Sequence, residues 1–299
     1  MFEKIYGNYK IKETLTKAVK QNTVSHSYLF IGNSGIGKKM IAKEFSKMLL
    51  CIQEEKYCGK CKSCIEFDSN NNPDFLLIEP DGNSIKIDQI RYLQKKIQEK
   101  PIISSKKVYI IDSADKMTKE AQNCLLKTLE EPPSFAILIL IGSNESDFLQ
   151  TIKSRCMILH FQNIENKEIK EYLEINYGLT NINENILETF QGSIGKAIFL
   201  KDKQEEYNNI QKLIDELENK DIIDIIKFAE PLYKGKEEIL EMLDYINIIL
   251  LKKAKNNYLY ANCIEIVENT KKRLEQNANY DMSIDNMLFN IWEEVNWKI

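Results

Sequence analysis

Five short apolar runs constrain this chain more than any other feature: residues 28–31, 75–78, 108–111, 136–141 and 158–161. Each is too short for a helix and is followed or preceded by a segment of helical period. Residues 88–98 place Ile90, Leu93 and Ile97 on one face, with Asp88 positioned to cap the start. Residues 118–131 place Ala121, Leu125 and Leu129 in register, capped by Thr118 and stopped by Pro132 and Pro133. Continuous apolar strands alternating with helices require a parallel sheet covered on both faces. Residues 1–163 are therefore expected to form an α/β domain.

Beyond Phe161 the strand signal stops. Residues 164–205 read as short helices around a Gly192-Ser193-Ile194-Gly195 break, a small helical domain. Residues 206–299 carry long helical patterns, such as Ile239, Leu240, Leu243, Ile246 and Leu250, and read as an all-α bundle. Charge follows this division. Residues 1–163 hold 24 Lys/Arg against 19 Asp/Glu, a surplus of +5, whereas 206–299 hold 12 against 18, or −6. The first part is the one suited to face phosphate; the last is excluded as a nucleic-acid arm. The longest apolar run is far below the ~20 residues of a membrane span, and the first residues lack a signal-peptide pattern. A cytoplasmic protein with no membrane partner is expected.

One glycine-rich segment joins the first strand to a helix: Gly32-Asn33-Ser34-Gly35-Ile36-Gly37-Lys38-Lys39. That is the setting of a phosphate-binding loop, in which backbone N–H groups and a helix N-terminus face the phosphates and Lys38 reaches the β- and γ-phosphates. The residue after the loop lysine should carry a hydroxyl for magnesium, yet it is Lys39, a cation that repels the metal. The end of the third strand, Asp112-Ser113-Ala114-Asp115, has the same character. Asp112 is placed to approach a metal, but Ser113 stands where a carboxylate would activate the attacking water. With two lesions in one site, hydrolysis of ATP by this chain is not expected. The residues leave open whether the degenerate site of Gly32, Gly35, Gly37, Lys38 and Asp112 binds nucleotide at all.

The chain has seven cysteines, and four of them (Cys51, Cys58, Cys61 and Cys64) lie within fourteen positions. Four thiolates at these intervals can close a tetrahedron on a structural zinc, leaving no position open for catalysis. Gly59 and Lys60 suit a tight knuckle between ligands. Cys124, Cys156 and Cys263 stand alone and read as small core residues.

Taken together, the motifs resemble bacterial DNA polymerase III clamp-loader subunits of the gamma/tau and delta-prime type, which are AAA+ proteins. The similar residues are Ile5-Tyr6-Gly7-Asn8, His26 to Phe30, the loop from Gly32 to Lys38, and the four cysteines. Further on come Pro80-Asp81-Gly82, Asp112 to Asp115, Leu125 to Pro133 and Ser154-Arg155-Cys156. The resemblance implies an AAA+ domain with a zinc insertion at 51–64, a helical lid at 164–205 and a helical collar at 206–299. It also implies delta and gamma/tau subunits, the sliding clamp and primer-template DNA as partners. A hydrolysing member would carry Thr at Lys39, Glu at Ser113 and Arg at Gly195, so the departures point to the non-hydrolysing delta-prime branch. In such loaders the arginine matching Arg155 reaches a neighbour's γ-phosphate in trans. The alternatives are an ATP-hydrolysing gamma/tau-type subunit, an independent AAA+ motor, and a stand-alone zinc-finger DNA-binding protein. Lys39 and Ser113 weigh against the first two, and the acidic last third against the other.

Overall fold

In the computed structural model, residues 2–54, 57–219 and 221–296 are described. Contacts divide the chain into two compact units. The first runs to Glu168 and includes Ser193–Gly195; the second holds Ile169–Gly192 and the residues from Lys196 on.

The first unit is built on five strands: β1 (Ser27–Ile31), β2 (Phe75–Ile78), β3 (Lys107–Ile111), β4 (Ala136–Gly142) and β5 (Met157–His160). They form one sheet in the order β2-β3-β4-β1-β5, with every pairing parallel. The central strands β1, β3 and β4 are buried at every residue, while the edge strands β2 and β5 are mostly half-exposed. That is why the central runs are uninterruptedly apolar. Alternation along β1 splits the core in two. Tyr28 and Phe30 pack on one face with Ile41, Phe45 and Met48 of α2 (Lys38–Leu50) and Leu15 of α1 (Tyr9–Lys20). Leu29 and Ile31 pack on the other with residues of two helices placed between strands in the chain. These are Ile90, Leu93 and Ile97 of α4 (Ile87–Ile97), and Ala121, Leu125 and Leu129 of α5 (Lys119–Glu130). Two short helices complete this unit, α3 (Lys62–Asp68) and α6 (Gln150–Lys153).

The expected strands fall within one or two residues of those observed. Thr118 caps α5 as expected, its hydroxyl accepting from Ala121 N at 3.2 Å. Asp88 does not cap α4. The cap position is Lys86, whose backbone N donates to Gln89 Oε1 at 3.2 Å, and Asp88 lies in the first turn. An acidic residue there still favours the positive helix end.

A polar anchor ties the connections together below the β2 edge. Asp74, 1% exposed, accepts from the backbone N–H of Ile102 (2.7 Å), Ile103 (2.8 Å) and Ser104 (2.7 Å). Ser104 Oγ in turn donates to Leu50 O at 2.7 Å, fixing the end of α2. Asp74→Ala removes the acceptor of three part-buried backbone donors, each costing up to ~1–3 kcal/mol where water cannot replace it. Allowing for partial relaxation, a loss of about 3 kcal/mol is expected, read as a lowered denaturant midpoint at unchanged slope.

Among the described residues of the second unit every element is helical: α7 (Asn166–Tyr177), α8 (Glu184–Thr189), α9 (Ile194–Leu200), α10 (Gln204–Asp215), α11 (Ile222–Phe228), α12 (Glu230–Lys234), α13 (Ile239–Ala254), α14 (Leu259–Glu275) and α15 (Tyr280–Asn296). The starts of α7 and α9 are shared with the first unit. Helices α13, α14 and α15 pack in sequence. The stripe Ile239, Leu243, Ile246 and Leu250 is buried on α13, as are Val267 on α14 and Ile284, Leu288 and Ile291 on α15. Among the described residues, no helix is long and apolar enough to cross a membrane.

Candidate functional site

The loop from Gly32 to Gly37 leaves the C-terminal end of β1 and opens α2, as a phosphate loop must. Gly35 holds φ +75°, and a Cβ there would meet Ser193 Oγ at 2.2 Å. Gly195 N donates to Gly35 O at 3.0 Å, and a Cβ on Gly195 would meet Gly35 Cα at 2.9 Å. The backbones touch, so neither position has room for a side chain. This gives a steric reason for glycine where working clamp-loader subunits are expected to carry arginine.

Lys38 is 7% exposed, and its ammonium donates to the carbonyls of Gly32 and Asn33, the latter at 2.6 Å. Burial lowers its pKa, with the charges of Asp115 and Asp112 opposing. Lys39, next along, turns the other way. Its ammonium lies 2.5 Å from Glu79 Oε1 and 2.9 Å from Asp112 Oδ2. Burial opposes its charge, but the hydrogen bonds and fields of these two carboxylates outweigh it and raise its pKa. Ser113, at φ 51°, donates its backbone N–H to Asp112 Oδ1 at 3.0 Å. No carboxylate stands at the position expected for a general base. The sequence reading missed Glu79, although a carboxylate ending the strand beside β3 was a usable signal.

Arg155 follows α6 and precedes β5. Its guanidinium donates to Glu130 Oε1 at 2.7 Å, Thr151 O at 3.0 Å and Ser154 Oγ at 3.2 Å. The pairing of Tyr28 with Met157 sets Arg155 beside the start of β1, where Ser27 Oγ donates to Arg155 O at 2.6 Å. All strands run the same way, so Arg155 and the phosphate loop occupy opposite ends of the sheet. Four residue steps along β1 alone separate them by roughly 13 Å. Glu130, which holds the guanidinium, was another residue that sequence pattern did not single out.

Around the cysteines, the predicted grouping is closed. Cys51 ends α2, Cys61 precedes α3 and Cys64 lies in its first turn. Their sulfurs and that of Cys58 all lie within 4.8 Å of one another. Cys51 Sγ is 3.7 Å from Cys58 Sγ and 4.0 Å from Cys61 Sγ. A tetrahedron with zinc–sulfur bonds of ~2.3 Å has sulfur–sulfur edges of roughly 3.8 Å, so the donor set fits a structural metal such as zinc. Gly59, at φ +69°, makes the knuckle, and Cys61 N donates to Cys58 Sγ at 3.3 Å. Backbone N–H groups, Lys60 foremost, pull the Cys58 thiol down to about 6, favouring the thiolate a metal needs. Cys124, Cys156 and Cys263 are not members of this group. Burial pushes Cys156 up to about 11 and Cys263 up to about 12, as for inert core thiols.

Comparison with known proteins gives the family. The sequence profile described as "DNA polymerase III, delta subunit" matches residues 7–165. The chain belongs to that family. The delta-prime resemblance read from the motifs is borne out: DNA polymerase III subunit delta' of Bacillus subtilis is 34% identical over 206 residues, 69% of this chain and 62% of that one. The delta' subunit of Pseudomonas aeruginosa is 36% identical over 137 residues, 44% of this chain and 42% of its own. The tau/gamma subunit of Haemophilus influenzae is 31% identical over 254 residues, 80% of this chain and 36% of its own. The chain thus spans between about a third and three fifths of the length of these relatives. A gamma subunit-related protein of Thermotoga maritima superposes with a TM-score of 0.48 at 18% identity, covering 95% of this chain and 99% of that one.

Proposed function

We propose that the chain is a non-hydrolysing subunit of a DNA polymerase III clamp loader, supplying Arg155 in trans to a neighbouring ATPase subunit. Its partners would be delta and gamma/tau subunits, and within the assembly the sliding clamp and primer-template DNA. The observation that carries the reading is the separation of Arg155 from the chain's own phosphate loop along a parallel sheet. An arginine so placed can serve a phosphate only on another molecule. The loop end, meanwhile, has Lys39 against Asp112 and a serine in place of the general base. On this reading residues 164–205 act as lid, 206–299 as collar, and the four cysteines hold zinc as a structural ion.

Kinship with tau/gamma subunits favours a second reading, an ATP-hydrolysing subunit. Lys39, Ser113 and the Gly35–Gly195 approach oppose it. The two readings part on turnover. The homogeneous chain is expected to hydrolyse no ATP, and Lys39→Thr alone is expected to gain magnesium-nucleotide binding without turnover. Adding Ser113→Glu should give weak hydrolysis at most. Clear ATPase activity in the unmodified chain sinks the first reading. The positive test is reconstitution with delta, gamma/tau and clamp, measuring DNA-stimulated ATPase with and without this chain.

A further inference from the structure

The fold implies a magnesium ion at the strand ends beside the phosphate loop, and the residues here do not fit one. A divalent ion would need the oxygens of Asp112 and a hydroxyl from the residue after the loop lysine. That residue is Lys39, and its ammonium is seated between Asp112 Oδ2 at 2.9 Å and Glu79 Oε1 at 2.5 Å. Glu79 directly follows β2, Asp112 directly follows β3, and Lys39 is the second residue of α2. Three elements far apart in sequence are thus joined at one cation.

We propose that the Lys39 ammonium is a resident cation standing in for the exchangeable divalent ion, so that this site takes up no magnesium whether or not nucleotide is present. Losing the hydroxyl alone would leave Asp112 and Glu79 as adjacent carboxylates, the hard oxygen donors a divalent ion seeks. The lysine fills the same space and satisfies both. Because it is tethered to α2, it neither dissociates nor depends on ion concentration. It also cannot bridge to phosphate as a metal does while engaged with both carboxylates. The proposal is independent of the assembly described above, since it concerns the isolated chain.

Manganese, followed by electron paramagnetic resonance on the full-length, zinc-loaded protein, is the probe. The unmodified chain and Lys39→Arg, which keeps the cation, are expected to show no saturable manganese binding that depends on Asp112. Lys39→Met, which keeps length and removes charge, is expected to take up one ion per chain. Adding Asp112→Asn should weaken that uptake at least ~10-fold, carboxylates being the principal ligands of a hard cation. A Lys39→Met protein with unchanged circular dichroism that binds no manganese overturns the proposal. So does saturable binding by the unmodified chain that Asp112→Asn abolishes, a comparison that stands even if Lys39→Met does not fold.

Discussion

Arg155→Ala is expected to assemble normally with gamma/tau and to abolish most of the ATP turnover at the one site it serves. A guanidinium stays charged and presents a planar fork of donors to phosphate oxygens. An arginine acting in this way accelerates phosphoryl transfer by roughly 10³–10⁵. The loss across the whole complex should be partial, because other ATP sites would draw their arginines from other subunits. Stability should change little. The side chain is 33% exposed and its partner Glu130 is 49% exposed, and exposed pairs of this kind contribute ~0–1 kcal/mol. The same weakness would let the guanidinium leave Glu130 if a phosphate were offered. Arg155→Lys should restore little, since the ammonium keeps the charge and loses the fork. The measurement is DNA-stimulated ATPase of the fully assembled complex on primed DNA with clamp. A mutant complex that turns over at the unmodified rate shows that Arg155 serves no neighbour.

The second large effect concerns the cysteines. The protein purified without chelator is expected to carry one zinc, and Cys61→Ser to lose it. Structural zinc supplies apparent binding free energies of ~10–16 kcal/mol in small zinc modules, so ligand loss is felt as local unfolding. Cys61 has two duties here: its sulfur completes the cluster and its residue is the cap position of α3. Unfolding should be confined, because the cysteines form a cluster of their own and this segment meets the sheet's core through the partly buried Tyr57 and Phe67. Hydrogen exchange should therefore accelerate through the cysteine segment and α3 while β1, β3 and β4 keep their protection. Elemental analysis that finds no zinc removes the basis for this prediction.

The strands were legible because their central members are buried on both faces, which leaves uninterrupted apolar runs in a polar chain. The four cysteines were legible because their separation is short and thiols have few other reasons to cluster in such a segment. Lys39 and Ser113 could be seen as departures because the loop around them keeps its pattern. Their consequences could not be seen. The partner of Lys39 is Glu79, forty positions away, and only the adjacency of β2 to β3 brings it near Asp112. Likewise Glu130 meets Arg155 through the packing of α5 against α6. Asp74 reads as an ordinary loop carboxylate until three backbone amides are found pointing at it. Pairings set by tertiary neighbours leave no period in the sequence, whereas burial does.

The close approach of Gly35 and Gly195 also bears on descent. With both positions glycine and the backbones 3.0 Å apart from nitrogen to oxygen, neither can accept a side chain without the chain shifting. An arginine arising at 195 meets Gly35 before it can reach a phosphate, so this substitution is harmful on its own and cannot be the first step back. Threonine at 39 and glutamate at 113 are expected to bring weak hydrolysis at most until that arginine fits. Full turnover would need all three changes, and no single one of them is expected to supply it. Two residues with no side chains at all thereby bar an arginine from position 195.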